Sequence, residues 1–121
     1  GQYSGDVAYD QTMRLLTRPD RPTAIVAANS LMALGALQAI NDLRFNCPDD
    51  ISLATIDSVP WASVICPQLT VVVQPIAEIA QAATMFLLDR IHHRGSEPIK
   101  PREKIFVPKF IAGRSCAPPR G

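Results

Sequence analysis

Three side chains able to grip a polar ligand stand at the ends of three apolar runs. Asn29 follows Thr23-Ala24-Ile25-Val26-Ala27-Ala28, Asp57 follows Ile51-Ser52-Leu53-Ala54-Thr55-Ile56, and Gln74 follows Leu69-Thr70-Val71-Val72-Val73. An amide, a carboxylate and a second amide offer the donors and acceptors that a polyhydroxylated or heterocyclic ligand requires. None of the three is an obvious nucleophile, so the pattern predicts a binding site and not a reaction centre. Metal chemistry finds no support, because Cys47, Cys66, Cys116, His92 and His93 lack ligand spacing and Asp49-Asp50 reads as a turn. A catalytic thiol would need a nearby histidine, and His92-His93 falls at a helix end with no sign of pairing. Three cysteines, an odd number, suit a reducing compartment better than a disulfide framework. No cofactor is implied. A nucleotide-binding enzyme of this class would carry a glycine-rich loop after a strand, whereas Gly35 stands alone within a helical stretch.

The elements that must hold these residues follow from apolar period and punctuation. Short β-branched runs with little alternation suit parallel strands buried on both faces. In open parallel sheets, ligands bind beyond the carboxyl ends of the strands. Ala8, Tyr9, Thr12, Leu15 and Leu16 at helical spacing predict a helix over 5–17 with Ser4 as N-cap. A second helix is predicted from Ser30, as N-cap, to about Arg44. Its first two turns, Leu31 to Leu37, contain no charged residue, which marks a helix buried on several sides or meeting a partner. The segment 58–68 reads as a short helix beginning at Pro60 and stopped by Pro67. The longest helix is predicted over 76–93, with an apolar face wide enough to require a sheet against it. Strands are predicted over 104–107 and 109–112, and the tail from Cys116 onward is predicted to fray. The order α-β-α-β-(α)-β-α-β-β indicates an α/β fold with a largely parallel sheet flanked by helices.

The totals set bounds on this reading. The 121 residues are 47% apolar and 19% charged with a formal net charge of +1, which supports a core and argues against a broad nucleic-acid footprint. The eleven prolines border apolar runs, where they stop helices or start turns. No stretch is long enough to span a bilayer. The chain also starts on polar Gly1-Gln2-Tyr3-Ser4, so no signal peptide or membrane partner is expected and a cytoplasmic location is.

Several stretches strongly resemble the LacI/GalR family of bacterial transcription regulators. The string from Arg21 through Asn29 and Ser30 to Leu37 carries the resemblance first. Cys47-Pro48-Asp49-Asp50-Ile51-Ser52, Ile56-Asp57, Pro60-Trp61-Ala62-Ser63, Pro67-Gln68-Leu69-Thr70, Gln74-Pro75 and Arg114-Ser115 follow in order and spacing. The resemblance covers about 1–119 and implies a Rossmann-like lobe of a periplasmic-binding-protein-like effector domain. It assigns 1–73 and 95–121 to the C-terminal lobe, and 74–94 to a crossover helix belonging to the other lobe. A DNA-binding headpiece and the lobe's first strands are expected upstream of Gly1, so operator DNA would be contacted only through that headpiece.

The resemblance also implies roles. Asn29, Asp57 and Gln74 match effector-contacting positions, Tyr3 a ring-stacking aromatic, and Ile76 and Ile79 positions lining the cleft. Leu31, Leu34 and Leu37, with Val59, Trp61 and Ile65, match a homodimer interface. Ser30 and Ser58 stand where the family usually has aspartate, and Ile56 where it has an aromatic, so the effector stays open between a carbohydrate and a nucleobase. The expectation is therefore the ligand-sensing, dimerising part of a LacI-type repressor and not an enzyme. The alternative is a periplasmic sugar-binding transport protein of the same fold, and the apolar helix from Ser30 favours the dimeric regulator.

Overall fold

A computed structural model describes residues 4–57, 61, 64–93 and 100–119. The chain divides into two compact units, Gly1–Val73 with Phe110–Gly121, and Gln74–Lys109.

The first unit opens with helix α1 (Gly5–Leu16), which follows Ser4 and buries Ala8, Thr12 and Leu16 along one stripe. Arg18-Pro19 and Pro22 end the helical path, and strand β1 (Ala24–Ala27) follows. Helix α2 (Ser30–Asp42) comes next and buries Ala33, Gly35, Ala36, Ala39 and Ile40. Its small residues have a packing purpose: a Cβ on Gly35 would overlap the Gly5 carbonyl oxygen and lie 2.9 Å from the Tyr9 nitrogen. The backbones of α1 and α2 therefore approach more closely than any larger residue permits. Tyr9 Oη donates a 2.9 Å hydrogen bond to Asp42 Oδ2 at the far end of the same contact.

Strands β2 (Ser52–Ile56) and β3 (Thr70–Val73) pair parallel to β1 and to each other. Ala27 stands opposite Thr55, and Thr55 opposite Val71. A short strand β4 (Lys109–Ile111) completes the order β1-β2-β3-β4, giving a mixed, mostly parallel open sheet. The core gathers Leu16, Ala36, Ile40, Ile51, Leu53, Leu69 and Val71, with Ile25, Phe45, Trp61 and Ile65 packed against it. Each large side chain of this kind contributes roughly 1.5–3 kcal/mol when fully buried, and Leu16, Ile51, Leu53 and Leu69 are the largest fully buried apolar ones described.

The tail crosses this sheet and does not fray at Cys116. Ser115 is fully buried; its Oγ donates to the Leu53 carbonyl and accepts from the Thr70 N–H at 2.8 Å. Leu53 N–H in turn donates to the Ser115 carbonyl at 2.9 Å. Ala117 donates its N–H to Ser52 Oγ at 3.1 Å and accepts from it at 3.2 Å. The prediction of a loose tail missed these bonds because they join residues 45 or more positions apart.

The second unit carries helix α3 (Ile76–His92), of which only Ala82 is buried among the described residues. Arg102 bonds Asp89 Oδ2 at 2.8 Å and stacks 4.3 Å from the Phe86 ring. Two strand expectations need correction. Residues 104–107 form no strand, and Ile105 and Val107 are exposed; β-branched residues make a strand only where a neighbour supplies ladder bonds. Strand β1 is not buried on both faces either: Val26 is 73% exposed, with no described element packed over its side chain.

Candidate functional site

Parallel pairing gives β1, β2 and β3 a common direction, so the positions following β1 and β2 lie beyond one edge of the sheet. Asn29 stands two residues after β1 and immediately before α2. Its Oδ1 accepts the Met32 N–H at 2.9 Å, which makes Asn29, and not Ser30, the N-cap of α2. Ser30 is the first residue of the helix. The cap occupies one acceptor, and the amide nitrogen carries two donors besides.

Asp57 follows β2 directly and is half-buried. Its φ of 78° lies in the left-handed region, which few residues other than glycine enter and which aspartate tolerates better than most. The Asp57 N–H donates to the Val72 carbonyl at 3.0 Å, tying the unusual backbone to β3. Backbone held in this region away from glycine concentrates at ligand clamps and active sites.

Gln74 follows β3 directly, is exposed, and opens the second unit. Its carbonyl accepts the Ile76 N–H at 2.9 Å at the start of α3. Ile76 and Ile79 are exposed, at 62% and 36%. Tyr3 lies outside the described residues. Sequence reasoning placed Leu15 only on a helix face and did not single out Gln11 or Met32; with Ile25 and Val26 these line an apolar groove of about 180 Å³ beside β1. The amphipathic period of α1 was the available signal.

Of the expected interface residues, Leu31 and Leu34 are 57% and 48% exposed on α2. Leu37, Trp61 and Ile65 are half-buried and packed against the core. Val59, like most of the short helix expected from Pro60, lies outside the described residues; Val64 and Ile65 donate N–H bonds to the Trp61 carbonyl in a turn. Asp50 Oδ2 accepts from the Asn46 N–H at 2.8 Å, as a turn carboxylate does. Among the described residues, no three histidine, cysteine or acidic side chains group as metal ligands, and no helix is long and apolar enough to cross a membrane.

Comparison with known proteins gives this geometry a family. The profile of the periplasmic binding protein-like domain matches residues 2–116. The chain is 36% identical over 118 residues to a Rhizobium rhizogenes protein named "Probable opine utilization operon repressor", covering 90% of this chain and 59% of that protein. It is 35% identical over 118 residues to the HTH-type transcriptional repressor PurR of Escherichia coli, covering 97% of this chain and 33% of PurR. A LacI family transcriptional regulator from Enterococcus faecium, solved with bound ribose, superposes with a TM-score of 0.81 at 30% identity. That superposition covers 98% of this chain and 42% of the regulator. The chain thus spans less than two thirds of the curated relatives it matches. It belongs to the periplasmic binding protein-like domain family, on the branch formed by the effector-binding domains of LacI-type regulators.

Proposed function

We propose that this chain is the ligand-sensing part of a LacI-type transcriptional repressor responding to a small sugar-like or nucleobase effector. The observation that carries the reading is Asp57, held at a positive φ beyond the carboxyl end of β2 in a chain that resembles a ribose-bound regulator throughout. A carboxylate there accepts hydrogen bonds from vicinal hydroxyls or ring N–H groups, and the Asn29 amide donates beside it. Gln74 adds a second amide, Tyr3 a stacking ring, and Ile76 and Ile79 apolar lining from the crossover helix of the other lobe.

The DNA-reading step belongs to a helix-turn-helix headpiece outside these residues. Effector binding reaches it as a population shift between two arrangements of the regulator, and only a ligand with different affinity for the two can produce that shift. The repressor works as a homodimer through α2 and the segment after β2, in the cytoplasm, and catalyses no reaction. Named repressors among the relatives support this over a transport protein.

Thermal unfolding of the complete regulator against pentoses, hexoses, purines and pyrimidines tests the proposal. A ligand at 100 times its Kd adds about 2.7 kcal/mol to stability, so one of these classes should raise Tm clearly. No response to any of them, with a response to apolar compounds instead, would overturn it.

A further inference from the structure

All three cysteines are free thiols, and two of them meet although 69 positions separate them in sequence. Cys47 Sγ lies 3.5 Å from the Ser115 carbonyl oxygen, on the residue preceding Cys116. A peptide oxygen sits within about 3 Å of the next Cα, so the Cys47 sulfur is no more than about 6.5 Å from the Cys116 Cα. Cys116 Sγ lies 3.5 Å from the Leu53 carbonyl oxygen, and the Cys47 thiol faces the backbone of the same residue. Both sulfurs thus sit against the backbone of one β2 residue, Leu53. Bridged cysteines have Cα atoms about 4.4–6.8 Å apart, a span the proposed bridge requires and the bound above allows. Neither thiol belongs to the candidate effector site.

We propose that Cys47 and Cys116 form a reversible dithiol–disulfide couple that fastens the C-terminal tail to the amino end of β2. The two thiols differ in access, which orders the chemistry. Cys116 is exposed and Cys47 half-buried, and burial pushes the Cys47 thiol up from its ordinary value. An incoming peroxide meets Cys116 first. The Cys116 thiolate attacks the O–O bond, leaves as a sulfenic acid and releases hydroxide. The Cys47 thiol then attacks that sulfur, forming the S–S bond and expelling water, its proton leaving with the departing oxygen. In sum, two thiols and one hydrogen peroxide give one disulfide and two waters. A dithiol reductant restores both thiols. Cys66, exposed elsewhere in the unit, takes no part.

The bridge closes a loop of 70 residues, 47–116, that takes in all of the second unit. Closing loops of about 70 residues restrains the unfolded chain strongly, so the oxidised form should melt at least about 4 °C above the reduced form. The experiment uses the Cys66→Ser chain treated with one equivalent of hydrogen peroxide, blocked with iodoacetamide and digested without reductant. Mass spectrometry should find a peptide joining Cys47 to Cys116, 2 Da lighter than its two reduced halves. Dithiothreitol should abolish it, and oxidation in urea should form it at least tenfold more slowly. Cys116→Ser should lose both the cross-link and the Tm rise. Sulfinic or sulfonic Cys116 without the cross-link, or equal cross-linking in urea, would overturn the proposal.

Discussion

Asn29 illustrates how one side chain can serve both the fold and the ligand. Its Oδ1 caps α2 through Met32, and loss of such a cap costs typically about 1 kcal/mol. Asn29→Ala should therefore lower stability by about that amount and weaken effector binding. Asn29→Asp keeps a capping oxygen but removes the amide donors, so it should leave denaturant stability nearly unchanged while weakening binding. Equal binding by Asn29→Asp would reduce Asn29 to a cap alone. At the other end of α2, Asp42 stands where the helix dipole disfavours a carboxylate, and Tyr9 Oη supplies a compensating hydrogen bond. That bond, with the neighbouring negative charge, raises the Tyr9 pKa above 10.0. A native pKa above the unfolded one means the contribution is complete below pH 10 and is lost as pH rises through the native value. Wild type should thus exceed Tyr9→Phe in stability at pH 8, and the difference should vanish in strong alkali. A difference unchanged between pH 8 and 12 would remove this bond from the account.

At the scale of elements, the contact of α1 with α2 depends on Gly35. An alanine there gains up to about 1 kcal/mol of helix propensity. Its Cβ would meet the Gly5 carbonyl and the Tyr9 nitrogen, backbone atoms that cannot rotate aside, and such overpacking costs typically about 1–3 kcal/mol. The clash wins, so Gly35→Ala should lower the urea midpoint; a rise would show that the helices can separate freely. The three helices and three parallel strands were legible because their signals are local: apolar period, capping residues, and proline at the borders. Residues 104–107 misled because Ile105 and Val107 have strand character without a ladder to join. Ser115, Gly35 against Gly5, and Cys47 beside Cys116 were not legible, since each depends on a contact between distant positions. The carboxyl-edge placement of Asn29 and Asp57 could be read from strand endings alone. The positive φ at Asp57 could not, because aspartate permits that conformation without requiring it.

For the whole molecule, the proposed homodimer would draw on the exposed α2 leucines. Leu31 and Leu34 each have about half their surface to bury, and full burial of a leucine contributes roughly 1.5–3 kcal/mol. Association costs at least about 4 kcal/mol, so these leucines need the neighbouring Trp61 segment to hold a two-fold dimer in which the same patches meet. Sedimentation should give a homodimer that Leu34→Asp dissociates. Leu34→Asp is a cleaner probe than Ile65→Asp, because Ile65 also packs on the core. A monomeric wild type, or a fully dimeric Leu34→Asp, would remove this interface.

In the proposed function Asp57 reads the effector, and calorimetric titration of the complete regulator with the compound that stabilises it measures that role. Asp57→Asn keeps a residue tolerant of positive φ and removes only the charge, and a hydrogen bond to a charged group is worth about 1.5–3 kcal/mol. Asp57→Asn should raise Kd roughly 10- to 100-fold with an unchanged fold. An unchanged Kd in a folded Asp57→Asn protein would contradict it.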